Sequence, residues 1–264
     1  MYTFFCKCGY FLLGLQMCGA VWAADERPDC SRPLTLALHI HGVLYSADLN
    51  AGIDKDFSDA LIQRSGCSIQ TSVLPRSRIW QLIESGALDF SLSGIATEER
   101  NTYAAFAWYF ANKYYLLVNK TSNVQSLSDF EDQPAMKLGA IRSFRYSNSA
   151  NRMVDKLTRV GRVSFASGLE ALYQVLAINR IQGIVIEPFD ISDIEAKRLK
   201  DTTQIFEFKD PSVPHGLIIS KKSISPAEIT KWTSLVQSLR EDGTVLRIFE
   251  KYFPPELARE MVAF

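Results

Sequence analysis

Leu88-Asp89-Phe90-Ser91-Leu92-Ser93-Gly94-Ile95-Ala96-Thr97-Glu98-Glu99-Arg100 is the stretch on which the reading of this chain turns. Leu88 to Leu92 predicts an apolar strand. It runs into a small, hydroxyl-bearing turn at Ser93-Gly94, and Thr97 and Arg100 follow within one short loop. A strand that ends in small residues leaves its backbone N–H groups open. A guanidinium beside it can take a carboxylate with two parallel bonds. Such a strand end can grip a small anionic metabolite without doing chemistry on it.

Outward from this stretch, strands and helices alternate. Leu34 to Ile40 predicts a strand; Phe57, Ala60, Leu61 and Arg64 predict a helix stopped by Gly66. Ile69 to Val73 is the next strand, followed by a helix around Ile79, Leu82 and Ile83 that stops at Gly86. Tyr114 to Val118 reads as a further strand. After the polar segment Thr121 to Ser126 the scheme restarts at Lys137 to Ile141. Ser167 with Glu170 predicts a capping box, Gly183 to Ile186 a buried strand, and Ser225-Pro226 with Glu228 a helix start. Alternation of this kind implies parallel sheets covered on both faces, and the restart implies a second sheet.

Ligands of open α/β sheets sit beyond the carboxyl ends of the strands. Those ends carry His41 and Tyr45, Arg76 and Arg78, Ser93, Arg142 to Tyr146, and Glu187. They come from both halves of the chain. His39 and His41 lie two apart on a strand and face the same way, a geometry that could hold a metal. No third ligand is evident, and a hydrogen-bonding role for His41 is the expectation. Phe106, Trp108, Tyr109 and Phe110 read as packing beneath the cleft.

With 264 residues, 47% of them hydrophobic and 22% charged, the chain can bury one large core or two modest ones. A formal net charge of +0 and the absence of a long like-charge run argue against a nucleic-acid partner. Residues 1–23 read as a signal peptide: Lys7 is the only charge before Asp25, and the apolar run Tyr10 to Trp22 is short for a membrane span. Val21-Trp22-Ala23 offers the cleavage pattern. A lipoprotein anchored at Cys18 is the other reading, with Met17 weighing against it by its size. Export leaves two cysteines, Cys30 and Cys67, each just before a strand. An oxidising compartment favours a disulfide between them over two free thiols.

The chain resembles the bacterial extracellular solute-binding proteins of family 3, the polar-amino-acid binders of ABC importers. Gly52-Ile53-Asp54-Lys55-Asp56-Phe57 is similar to that family's entry into its first helix, and Leu138-Gly139-Ala140-Ile141 to the first strand of its second lobe. Leu239-Arg240-Glu241-Asp242-Gly243-Thr244, continuing to Phe249-Glu250-Lys251-Tyr252-Phe253, is similar to its closing signature. The resemblance implies a two-lobed α/β periplasmic-binding-protein fold of type II, each lobe a mainly parallel sheet flanked by helices. Residues 24–113 would start lobe 1, 114–211 form lobe 2, and 212–264 return to lobe 1. The two hinge crossings would lie near Ala111 to Tyr115 and Asp210 to Pro214.

The same resemblance gives Arg100 the ligand carboxylate, Ser93 and Gly94 the backbone and hydroxyl around it, and Glu187 the ligand ammonium. Three departures set this chain apart. Ile95 stands where many relatives carry threonine or serine, Arg76 where they stack an aromatic residue, and Ser143-Phe144 where they have Gly-Thr. Arg76, Arg100 and Arg142 together favour a ligand with more than one acidic group. The expected site is therefore Arg100, Ser93, Gly94, Arg76, His41, Tyr45, Arg142, Ser143 and Glu187, with no cofactor and no metal. The expected partners are a small polar or anionic metabolite and an ABC permease, met by a periplasmic monomer.

No Gly-x-Ser-x-Gly elbow, His-Glu-x-x-His pair or glycine-rich phosphate loop is present. The alternative is a dehydratase of prephenate-like acids on the same scaffold, with Glu187 or His41 as general acid. A ligand-sensing domain acting through a partner is the third reading.

Overall fold

The computed structural model describes Met1 and residues 27–264. Residues 2–23 of the expected signal peptide, with its cleavage pattern and Cys6, Cys8 and Cys18, lie outside the described residues. The strands in chain order are β1 (Leu34–Leu38), β2 (Ile69–Val73), β3 (Phe90–Gly94), β4 (Ala104–Asn112), β5 (Tyr115–Asn119), β6 (Leu138–Ile141), β7 (Val163–Ala166), β8 (Gly183–Ile186), β9 (Thr203–Glu207) and β10 (Val213–Ser220). They form two five-stranded sheets, ordered β2-β1-β3-β10-β4 and β7-β6-β8-β5-β9. β1 pairs in parallel with β2 and β3, and β6 with β7 and β8. The strands that carry the chain between lobes add antiparallel pairings, β10 with β3 and β4, and β5 with β8 and β9. Each sheet is therefore mixed.

Period-two alternation buries both faces of each sheet. In lobe 1, Leu36, Leu38, Leu217 and Ile219 face a core completed by Phe57, Phe90, Trp232 and Phe249. Ala37 and Ile218 face the opposite side, against Ile79, Trp80 and Ile83. In lobe 2, Leu116 and Val118 meet Phe130, Met153 and Leu157, while Leu117 meets Leu172, Tyr173 and Leu176. The helix Pro226–Glu241, with Ser225 accepting from the Glu228 N–H at 3.3 Å, belongs to the lobe 1 core. The helix Leu169–Ala177 starts differently from the expectation. Its N-cap is Gly168, extended and without a side-chain cap, so the Ser167–Glu170 box does not form.

The chain crosses between sheets at residues 113–114 and 208–212. Asn112 pairs with Val213 on one side of the crossings, and Tyr115 with Glu207 on the other. The two crossings therefore run side by side. Cys30 and Cys67 are bonded, with Cα atoms 4.9 Å apart, tying the segment before β1 to the turn before β2. Among the described residues no helix is long and apolar enough to cross a membrane.

One segment breaks the division into lobes. Phe189 follows β8 yet is wholly buried in the lobe 1 core, its ring 5.3 Å from Phe110 and 5.6 Å from Phe253. Gly42, at φ +45°, lets the backbones close there: a Cβ on it would lie 2.2 Å from the Phe189 carbonyl oxygen.

Candidate functional site

The carboxyl ends of β1, β3, β6 and β8 converge between the lobes. They enclose a cavity of about 20 Å³, room for a single water. Lobe 1 lines it with His39, Arg76, Trp80 and Arg100, lobe 2 with Phe144 and Glu187.

Arg100 is set by its own helix. Thr97 caps Glu98–Tyr103, accepting from the Arg100 N–H at 3.1 Å. The guanidinium lies 3.9 Å over the Trp80 ring and donates to the carbonyls of Ile95 at 3.0 Å and, across the cleft, Ser143 at 2.9 Å. Arg76 donates to the Leu92 carbonyl and to His39 Nδ1, both at 3.0 Å. Arg76 is 5% exposed and Arg100 7%. Neither has a carboxylate partner among the described residues. Burial, then the repulsion of Arg76, lowers the Arg100 pKa to about 10, so it stays charged. Because Arg76 donates to Nδ1 of His39, that ring carries its proton on Nε2. Burial and the Arg76 charge hold His39 neutral, well below its ordinary range. Two residues lining the cleft have a buried polar atom without a partner, and both atoms are N–H donors: His39 Nε2 and Trp80 Nε1.

Phe144 fills the remaining space from lobe 2. Its ring is stacked 5.2 Å from His41 and lies 5.4 Å from His39, with the Arg76 guanidinium 5.6 Å from its centroid. The preceding residue, Ser143, has φ +62°, a left-handed conformation that costs a non-glycine residue about 1–2 kcal/mol.

Ser93 also has positive φ, +52°. Its N–H donates to Tyr109 Oη at 2.9 Å and its hydroxyl to Asp54 Oδ1 at 2.6 Å. Both groups expected to face a ligand are thus engaged inside lobe 1, because Ser93 and Gly94 end β3 rather than form a turn after it, and a buried carboxylate lies directly behind that strand end. Tyr109 also donates to Asp54, at 3.1 Å. Burial raises the Asp54 pKa to about 6 against the pull of the Ser93 bond, Arg76 and Tyr109. Gly94 lines the cleft, where a Cβ would meet the Ile218 side chain at 2.2 Å.

Glu187 and His41 meet across the lobes, Oε2 to Nε2 at 2.8 Å. Asn112 donates to Glu187 Oε1 at 3.3 Å. His215 donates from Nδ1 to the Val213 carbonyl, leaving Nε2 at 3.0 Å from the Tyr114 hydroxyl and 3.5 Å from Glu187 Oε1. Asp190 Oδ1 lies 3.3 Å from the same His41 nitrogen, while its Oδ2 accepts from the Glu187 N–H at 2.9 Å. Burial would raise the Glu187 pKa, but the neighbouring imidazoles of His215 and His41 hold it well below the usual carboxylate range. Asp190, buried and beside that charge, is raised to about 7. Burial opposes the charged form of His41, yet Asp190 and Glu187 outweigh it and raise its pKa.

Of the residues expected at the site, Arg100, Arg76, Ser93, Gly94, Ser143 and Glu187 line the cavity, and His41 binds Glu187 beside it. Tyr45 does not reach it. It packs in the lobe 1 core with its hydroxyl on Asn50 at 3.2 Å. Arg142 is exposed and outside the lining, because the turn after β6 aims it outward; Arg145 lines the cleft instead. Arg78 is exposed on Gln81. Sequence reasoning missed Trp80, which reads as one more apolar helix position, and Asp190, hidden after Pro188-Phe189. It also left His215 unassigned.

Two α/β lobes joined by paired crossings, with a basic cleft at the facing strand ends, define a clamshell-type binding protein. Residues 45–255 match the bacterial extracellular solute-binding proteins, family 3, and the chain belongs to that family. No curated protein matches the chain in sequence. An ancestral arginine-binding protein bound to arginine superposes with a TM-score of 0.70 at 20% identity, covering 86% of this chain and 100% of that one. The GluR0 ligand-binding core of Nostoc punctiforme in complex with L-glutamate gives 0.69 at 16%, covering 84% and 99%. The VFT2 domain of BvgS from Bordetella pertussis gives 0.65 at 12%, covering 84% and 93%. At these identities the structures establish the shared fold.

Proposed function

We propose that this protein is a periplasmic solute-binding protein that closes its lobes on a small anionic, carboxylate-bearing ligand and delivers it to the permease of an ABC importer. The observation that carries the reading is the pair Arg76 and Arg100. Two buried guanidiniums face one cleft and, among the described residues, donate hydrogen bonds only to carbonyls and an imidazole. A buried cation is costly without an anion, and ligand carboxylates would neutralise both. His39 Nε2 and Trp80 Nε1 would add donors to the same oxygens. Two guanidiniums suit a ligand with two acidic groups, a short dicarboxylate or an acidic amino acid such as the L-glutamate named for the Nostoc core.

Entry requires Phe144 to leave the space it fills. The closed arrangement is already supported by protein contacts, so ligand affinity depends on how the closed state competes with the open one. The leader in the sequence and the extracellular character of the family support export, and family membership supports the permease partner. Glu187 and His41 are buried and hydrogen-bonded to each other, so neither side chain is free to act as general acid, which favours binding over the dehydratase alternative.

A thermal-shift screen of the mature protein with amino acids, small dicarboxylates and prephenate-type acids tests the reading, with product analysis of every hit. A ligand at a hundredfold its Kd stabilises by about 2.7 kcal/mol. Acidic ligands should raise the Tm and be recovered unchanged. Stabilisation by cationic ligands alone, or consumption of the hit, would overturn the proposal.

A further inference from the structure

We infer that His41, Glu187 and Asp190 form a divalent-metal site, of the zinc class, assembled only when the lobes close. His41 comes from lobe 1, and the two carboxylates follow β8 in lobe 2. One ligand atom from each lies within 4.8 Å of the others, all buried. Nε2 of His41 stands 2.8 Å from Glu187 Oε2 and 3.3 Å from Asp190 Oδ1. Ligands tetrahedrally arranged on metal bonds of about 2.0–2.2 Å sit about 3.4 Å apart, so the two separations from His41 need only small shifts to reach it.

The carboxylates are oriented from behind, as metal ligands usually are. Asn112 holds Oε1 of Glu187, and the Glu187 N–H holds Oδ2 of Asp190. Their second oxygens both face His41. A single proton on Nε2 makes one hydrogen bond, to Glu187, and leaves Asp190 Oδ1 without one although it is fully buried. A dication at this point would be coordinated by all three atoms and would balance both negative charges. One imidazole and two carboxylates suit zinc or a neighbouring first-row ion.

The chain helps the test, because its three histidines are all buried and its two described cysteines are in a disulfide. Untagged mature protein, stripped with EDTA, would be titrated calorimetrically with Zn²⁺ in the absence of organic acids. The expected result is one ion per chain, bound about tenfold or more weakly by both Asp190→Asn and His41→Gln. Both variants should keep the wild-type circular dichroism. Should either misfold, the visible spectrum of wild-type protein with Co²⁺ decides. Intense four- or five-coordinate bands support the site, and a hexaaquo-like spectrum overturns it. Absence of saturable Zn²⁺ uptake up to millimolar concentration, or uptake unchanged in both folded variants, also overturns it. Neither readout requires the anionic ligand, so the site and the proposed function can fail separately.

Discussion

Phe189 belongs to the second lobe by sequence and to the first by packing, its ring edge-on to Phe110 with centroids 5.3 Å apart. An aromatic side chain from one lobe seated in the core of the other works as a peg between them. Phe189→Ala should cost about 3–5 kcal/mol, as buried aromatic truncations do, and should loosen the closed form. Small-angle scattering checks this: the variant should have a larger radius of gyration than wild type. An unchanged radius in a destabilised variant would mean that the peg serves only the lobe 1 core.

Phe144 competes with any ligand for the space beside Arg76 and His41. Phe144→Ala should tighten binding of the anionic ligand about tenfold, the scale of one lost aromatic contact. It should also admit larger ligands. Calorimetry on the best hit of the screen measures both effects, and weaker binding in the variant would mean that the ring is part of the grip.

Arg100→Ala should cost about a hundredfold or more in affinity for a carboxylate, given about 1.5–3 kcal/mol for each charged hydrogen bond. Arg100→Lys should recover only part of it, because an ammonium cannot match a carboxylate with two parallel bonds or stack flat on Trp80. The unliganded Tm of Arg100→Ala should hold or rise, since a buried, unneutralised cation is removed.

Asp54 gives the stability an unusual sign with pH. Its folded pKa, about 6, lies above the 3.8 of a free aspartate. The native state therefore holds the proton more tightly than the unfolded chain. Stability from this group is complete below pH 3.8 and is lost as pH rises through 6, up to about 3 kcal/mol. Urea midpoints taken between pH 4 and 7 should fall with pH for wild type more steeply than for Asp54→Asn. Parallel curves would refute the assignment.

The Cys30–Cys67 bond closes a loop of 37 residues. By the loop-entropy relation this contributes about 4 kcal/mol. A Cys30→Ala/Cys67→Ala variant should show that loss in its urea midpoint, and wild type under reductant should match it.

The elements legible in the sequence were those with local signals. Gly66 and Gly86, both at positive φ, end their helices where expected, and β2 and β8 span the anticipated residues. β4 and β10 escaped as strands. Their partners are about a hundred residues apart, and the aromatic run Phe106 to Phe110 signals burial without signalling pairing. At the site, strand ends pointed to His41 and Glu187 separately. Nothing local could tell that they meet, 146 residues apart, or that Asp54 would occupy the hydroxyl of Ser93.

The side-by-side crossings restrict how the two halves can part. Asn112 with Val213 and Tyr115 with Glu207 are laddered neighbours on either side of the gap, so the connection is a two-ply ribbon and not a pair of independent tethers. A ribbon resists splaying in its own plane and yields mainly by bending across it and by twist. Opening is thereby reduced to about one angular degree of freedom, with the ribbon as fulcrum. A small displacement at the guanidiniums would then be a larger one at the outer lips.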